Sequence, residues 1–554
     1  MRVQQAEKPR RWGRPFGDTA LADREVDVLL SLPFFNEIDP RDFPEDLALD
    51  GILANDTRII RADRDDVIYR QGEYGTSIFL VLNGSVQSSM TPGGGHERKA
   101  GPKKASMFRS LSRLWHGSGQ KSEPRPDHGA DSNDLSKRKL STPAGMFSPP
   151  VLPLVRNDVF GVIGALTRTP RCASVTVTED DTQLLELRWP AVRDLCQWSD
   201  SFRTGIDELY CEWGYWSCLQ GCALFQHVDD DALDIIGESS NFERYGEFAW
   251  THRFQKAVSG VNGHGVMAAQ EPVIAEQGHY LDGLLLIHSG FARLTEKSGH
   301  EELTLDYATK NDVIGLSEIA GGVGAGGILR FPSGLRTVGY VDLVRIPTEI
   351  VEAHILPSLP RNYDLRGRRP SAEGASVPVR SFTEFLIDRR FTNGAKAMVI
   401  NTDRCVNCDD CVRACAAAHD GVPRFERRGA THHNLMIAGA CMHCADPVCL
   451  IDCPTAAIHR DKTTGTVIID DATCIGCAAC ANACPYDNIH MAEQRDDSGA
   501  FLIDGSGVQM LRAEKCDLCI KHKAGPACER ACPHDALQRV NIRDTSTLLE
   551  WSRA

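Results

Sequence analysis

Sixteen cysteines between Cys405 and Cys532 are the residues of this sequence best suited to chemistry. They fall into four groups of four: Cys405, Cys408, Cys411 and Cys415; Cys441, Cys444, Cys449 and Cys453; Cys474, Cys477, Cys480 and Cys484; Cys516, Cys519, Cys528 and Cys532. Every group ends in C-x3-C. Proline follows the last cysteine in three of them, and Ala416 takes that place in the first. Thiolate is a soft, charge-donating ligand that suits iron–sulfur clusters. Three closely spaced cysteines on a tight loop can embrace three corners of a cubane. The fourth, one helical turn onward, reaches a second cubane. Structural zinc favours two separated C-x2-C pairs instead. The expectation is four [4Fe–4S] clusters.

The C-x2-C-x2-C-x3-C-P run is the bacterial ferredoxin spacing. Residues 395–540 resemble the iron–sulfur subunits of the dimethyl sulfoxide reductase, polysulfide reductase and formate dehydrogenase group. The resemblance rests on "TDRCVNCDDCVRAC", "CMHCADPVCLIDCPTAAI" and "IIDDATCIGCAACANACPYDNI". It implies two pseudo-symmetric halves and crossed ligation. Cys405, Cys408 and Cys411 would share a cluster with Cys532, and Cys516, Cys519 and Cys528 with Cys415. Cys441, Cys444 and Cys449 would join Cys484, and Cys474, Cys477 and Cys480 would join Cys453. It also implies single-electron transfer between partner chains, with a flavin, molybdopterin or quinone site on another subunit.

The elements in front of these loops read differently. Residues 60–89 alternate short β-rich runs with Gly-containing turns, the pattern of a β-sandwich or roll. "QGEYGTSIFLVLNGSV" and "NDVFGVIGALTRTPRCASVTV" resemble the cyclic nucleotide-binding domain of catabolite-activator-type proteins and its phosphate cassette. A second copy is similar in "EPVIAEQGHYLDGLLLIHSGFARLT" and "NDVIGLSEIA". In that family a short helix start offers amides to a phosphate, an arginine pairs with it, and a glutamate holds the ribose hydroxyl. Arg171, with Gly161 at the turn, keeps the arginine position in the first copy. Val162 and Leu316 replace the two glutamates. The second arginine position falls near Gly334, two residues from Arg336. The resemblance therefore implies domains that no longer bind cyclic nucleotides and serve as scaffold or regulatory input.

The net charge of −14 argues against a general nucleic-acid binder. Residues 91–150 are Gly, Ser, Pro and Lys rich, and read as a disordered insertion. Within it, residues 106–116 could form a short amphipathic foot for peripheral docking. "GGVGAGG", with Asp342 about 20 residues on, formally holds a dinucleotide fingerprint, but its flanks suit a loop. Cys172, Cys196, Cys211, Cys218 and Cys222 lack metal-ligand spacing and read as small buried hydrophobes. His432-His433 reads as a surface pair, and His443 lies inside a cluster motif. No apolar run approaches a membrane span, and no apolar stretch follows Arg10-Arg11 to make an export signal. A cytoplasmic location is expected.

The sequence thus predicts an α+β multidomain chain. A flexible tail (1–25) precedes a β-roll (jelly-roll) cyclic nucleotide-binding-like domain (26–215, interrupted by 91–150) and a second such domain (216–358). A linker (359–394) leads to a bacterial-type double ferredoxin domain (395–540) and a C-terminal tail (541–554). The expected function is a non-catalytic electron-transfer subunit of an oxidoreductase complex, without nucleic-acid partners. The alternative is a regulatory protein that uses its clusters as a redox sensor. A self-contained enzyme is disfavoured by the lack of a substrate-site motif.

Overall fold

A computed structural model describes residues 3–5, 21–90, 138–141, 151–246, 271–298, 301–322, 328–363, 365, 381–382, 385–386, 389, 391–496, 498–542, 548 and 550–551. The expected docking foot at 106–116 and residues 323–327 of the glycine-rich stretch lie outside the described residues, as does most of the insertion.

The first roll consists of two four-stranded antiparallel sheets. One runs Thr57–Ala62, Thr182–Leu187, Ile78–Asn83 and Val159–Phe160; the other runs Val67–Tyr69, Ser174–Val177, Ser85–Ser89 and Val151–Val155. Side chains alternate across a strand with period two, and the near-continuous apolar run "IFLVLN" therefore feeds two cores. Phe79 and Val81 fill the roll interior with Val86, Phe160, Val175 and Leu184. Ile78 and Leu80 face the other way, into a core built with helices. Those helices are Asp23–Leu30, Leu49–Asp56, Trp189–Trp198 and the long Asp200–Gly221.

The same helical core continues into the second roll, which joins the two rolls through one packed interior. Its long strands Gly283–Ser298 and Gly334–Pro347 pair antiparallel along most of their length. Register shifts near Ser289 and Gly290 let these strands bend. Gly290 has φ +83°, and a Cβ there would stand 2.0 Å from the Tyr340 carbonyl oxygen, so only glycine fits. A buried polar network ties the long helix to this roll: Tyr210 Oη donates to Asp342 Oδ2 at 2.5 Å, and Arg244 Nε donates to Asp342 Oδ1 at 2.8 Å. Asp342 is thereby committed to an internal ion pair, and Gly321 and Gly322, expected in a loop, end the helix Leu316–Gly322.

The third domain has a central sheet in the order Phe425–His432, Leu435–Ala440, Ala397–Asn401, Leu537–Val540. Two small hairpins, Ile458–Arg460 with Val467–Ile469 and His490–Glu493 with Leu511–Glu514, flank the cysteine loops. Buried Phe382, Leu386, Ile542 and Leu548 belong to its core, which therefore extends beyond 395–540 on both sides. Two further differences from the sequence reading concern strands. Val3–Gln5, in the expected flexible tail, pairs parallel with Phe501–Ile503. Arg138–Ser141, in the expected disordered insertion, pairs antiparallel with Asn241–Arg244 of the second roll. Both partners are far away in sequence, so local composition carries no signal of either pairing. Among the described residues, no helix is long and apolar enough to cross a membrane.

Candidate metal centre

Each cysteine loop is shaped by a left-handed residue at the same place. The second residue after the first cysteine has positive φ in all four groups: Asn407 at 60°, His443 at 46°, Gly476 at 68° and Leu518 at 58°. This turn curls the loop so that its thiols converge instead of alternating as in a strand. At Gly476 a Cβ would stand 2.3 Å from the Leu511 carbonyl oxygen, so that position requires glycine. Short helices then carry the later cysteines. Cys411 and Cys415 lie on Asp410–Ala417, Cys480 on Ala479–Ala483 and Cys528 on Ala527–Arg530. Three residues after Cys453, Cys484 and Cys532, a second left-handed residue (Ala456, Asp487, Asp535) turns the chain back.

Thiols of different groups lie within electrostatic reach of one another. Cys411 feels the charges of Cys405 and Cys532. Cys449 feels Cys441, Cys444 and Cys484. Cys480 feels Cys453, Cys474 and Cys477, and those four line one small cavity. Cys528 feels Cys516 and Cys415. Cys516 also lies within electrostatic reach of Cys441, which brings the two halves together. Most of these cysteines are buried or half-buried; Cys408 and Cys477 are exposed.

Burial, with the charges of neighbouring cysteines, pushes the thiols up, Cys480 to about 12 and Cys484 to about 11. Thiolate ligation therefore needs compensating donors and cations. The chain supplies them. Backbone N–H groups of Arg424, Asn488 and Ala536 donate to the sulfurs of Cys415, Cys484 and Cys532 at 3.3, 3.4 and 3.3 Å. Arg539 Nη2 donates to Cys516 Sγ at 2.9 Å. Buried Lys515 acts on Cys449 and Cys516. Soft donors in fours, with N–H groups and cations aimed at sulfur, fit cubane iron–sulfur clusters.

Sequence reasoning missed these compensating residues. It also missed His419, whose Nε2 lies 3.1 Å from Asp517 Oδ1 and whose Nδ1 lies 2.8 Å from the Cys415 carbonyl oxygen. The bond to Asp517 raises the His419 pKa to about 10. Asn488, Ala536 and His419 each stand four residues after a cysteine and Lys515 directly precedes Cys516, a local signal that went unread, whereas Arg539 reaches Cys516 from 23 residues away through the fold. His432 stacks on Phe385 and packs against Phe382, consistent with a histidine outside any ligand set. The five other cysteines join the helical core or pack against it, and burial raises Cys196 and Cys211 to about 12, as expected of inert thiols.

In the first roll, Arg171 is turned inward. Its Nη1 donates to the Gly161 carbonyl and its Nη2 to the Ser77 carbonyl, both at 2.7 Å, and its guanidinium lies 4.4 Å over the Tyr69 ring. The cavity there is only ≈ 20 Å³, about enough for one water. Val162 and Leu316 are core residues. Arg336 in the second roll pairs with Glu302 at 2.8 Å.

A 4Fe-4S dicluster domain is matched at residues 432–542. The electron transport protein HydN of Escherichia coli (strain K12) is 34% identical over 156 residues, covering 25% of this chain and 85% of HydN. The thiosulfate reductase electron transfer subunit PhsB of Salmonella typhi is 31% identical over 169 residues, covering 28% of this chain and 79% of PhsB. Among solved structures, the cAMP-bound regulatory domain of Toxoplasma gondii PKA is matched at 13% identity over 59% of this chain and 89% of that one, with a TM-score of 0.19. The description of the rolls rests on their own strand order, whereas the cysteine domain is placed by sequence. Through that domain, the chain belongs to the family of [4Fe–4S] electron-transport proteins that includes HydN and PhsB.

Proposed function

We propose that the chain relays electrons through four [4Fe–4S] clusters between two partner redox chains, with the rolls as a rigid mount. The observation that carries this reading is the crossed meeting of the cysteines together with the exposure of Cys408 and Cys477. Each cluster, when bound, takes up and releases a single electron. The Cys408 set shares the helix Asp410–Ala417 with the set of Cys415, Cys516, Cys519 and Cys528. That set neighbours the Cys441 set through Cys516. The Cys441 set in turn shares the stretch from Cys480 to Cys484 with the set of Cys453, Cys474 and Cys477. This gives a linear order whose two ends carry the exposed cysteines, the arrangement expected where electrons enter and leave. The partner at one end would hold the catalytic flavin, molybdopterin or quinone chemistry.

Protein purified anaerobically from its native host tests the proposal. About sixteen iron and sixteen sulfide per chain are expected, four from each cubane, together with a catalytic subunit that co-purifies. Stoichiometric zinc would overturn the cluster assignment. A chain that purifies without a redox partner would favour the sensor reading, in which the contact between first roll and cluster loops transmits the signal.

A further inference from the structure

We propose that the cavity where both rolls meet the cysteine domain is a binding site for a small phosphate-bearing anion. The proposal goes beyond electron relay and stands on residues outside the cysteine set. The cavity measures ≈ 280 Å³ and is lined from three directions. Arg168 comes from the first roll, Lys310 from the second, and Lys396 and Arg460 from the cysteine domain. Asp446 is the one carboxylate in this lining, and Arg168 already engages it. Among the described residues, Lys310, Lys396 and Arg460 form no ion pair. Four cations against one acid is the reverse of a chain whose net charge is −14. Such a concentration of like charge is costly unless an anion offsets it.

Two residues of the lining also carry buried N–H donors that the protein leaves unused. Arg460 gives its Nη groups to the carbonyls of Gly465, Cys444 and Ala445, which leaves its buried Nε without a partner. His443 is 2% exposed. Its Nδ1 accepts from the Val467 N–H at 3.2 Å, so the proton sits on Nε2, which is buried and unpartnered. The surroundings are thus donor-rich and acceptor-poor. Cations converging from three bodies suit a tetrahedral, multiply charged group better than a planar monocarboxylate, which one guanidinium fork satisfies. The volume lies at the small end for ligand sites. It suits a pyrophosphate or sugar phosphate and excludes a dinucleotide.

Titration calorimetry on the full-length, cluster-loaded protein at low ionic strength tests this with inorganic pyrophosphate. One site per chain with micromolar affinity is expected. Lys310→Ala, at an exposed position that tolerates truncation, should weaken binding about tenfold or more. Lys396→Gln should do the same, with the visible cluster absorbance showing that the domain is intact. Lys297→Ala, which removes an exposed lysine elsewhere on the second roll, should leave binding unchanged. Succinate should bind at least about tenfold more weakly than pyrophosphate. Absence of pyrophosphate binding, equal affinity for succinate, insensitivity to Lys310→Ala, or an equal loss in Lys297→Ala would each overturn the proposal.

Discussion

Arg168 of the first roll donates from Nε at 2.8 Å and from Nη2 at 2.6 Å to Asp446 Oδ1, two residues beyond Cys444. The arginine side chain is 3% exposed and the carboxylate 22%. The arginine closes the helix Val162–Thr167 in a left-handed conformation, φ 58°. The C-terminal end of this short helix therefore faces a cysteine loop. Around it, Arg188 Nη2 donates to the Thr455 carbonyl at 2.6 Å and Trp189 Nε1 to the Ile451 carbonyl at 3.0 Å. Tyr74 N–H donates to the Lys462 carbonyl at 2.9 Å.

Arg168→Ala should release the first roll from the cysteine domain. Removing one member of a largely buried pair leaves the other charge uncompensated, at a cost of about 2–4 kcal/mol. The expected outcome is a lower unfolding midpoint and faster proteolytic cleavage between the domains, with iron content unchanged. An unaltered midpoint and cleavage pattern would show that this pair does not hold the domains together.

Arg171 gives a second expectation. Its guanidinium satisfies the Gly161 and Ser77 carbonyls and lies over Tyr69, and the space beside it is the size of one water. Cyclic AMP should therefore give no thermal stabilisation of the protein. Arg171→Ala should destabilise the roll by about 2–3 kcal/mol through lost charge-assisted hydrogen bonds. Submicromolar cyclic AMP binding that Arg171→Ala abolishes would refute this account of the first roll.

Cys484→Ser tests the crossed meeting of the thiols. Cys484 follows Cys474, Cys477 and Cys480 in sequence, but the charges it shares are those of Cys441, Cys444 and Cys449. Serine is a harder donor and binds cubane iron less well. The variant should lose or convert the cluster of Cys441, Cys444 and Cys449, and the other three should keep their paramagnetic signatures. Damage to the cluster of Cys474, Cys477 and Cys480 instead would refute the crossing.

The cysteine loops were legible because their information is local. C-x2-C-x2-C-x3-C-P encodes a turn and a helix start within a dozen residues. The alternation in "IFLVLN" is local in the same way, and so is the loss of the glutamates at Val162 and Leu316. What the sequence did not show is long-range. Arg168 and Asp446 lie 278 residues apart, and Arg539 reaches Cys516 only because the central sheet brings Leu537–Val540 beside the loop. The pairing of Val3–Gln5 with Phe501–Ile503 joins segments near opposite ends of the chain.

Glu212 provides a pH-dependent prediction. It lies on the long helix Asp200–Gly221, and burial, with the charges of Asp158 and Glu208, raises its pKa to about 7. In the unfolded chain it ionises as an ordinary carboxylate. A raised folded pKa means that the folded state holds its proton to higher pH than the unfolded state does. The contribution is neutral below the unfolded value, and stability falls between there and about pH 7 as the unfolded chain ionises first. Above pH 7 the folded protein carries a poorly solvated charge that costs about 3 kcal/mol. Glu212→Gln keeps the shape and removes the titration. Its unfolding midpoint should match that of the parent near pH 4.5 and exceed it at pH 8, with the gap opening between these values. Midpoints that run parallel across this range would show that Glu212 ionises alike in both states.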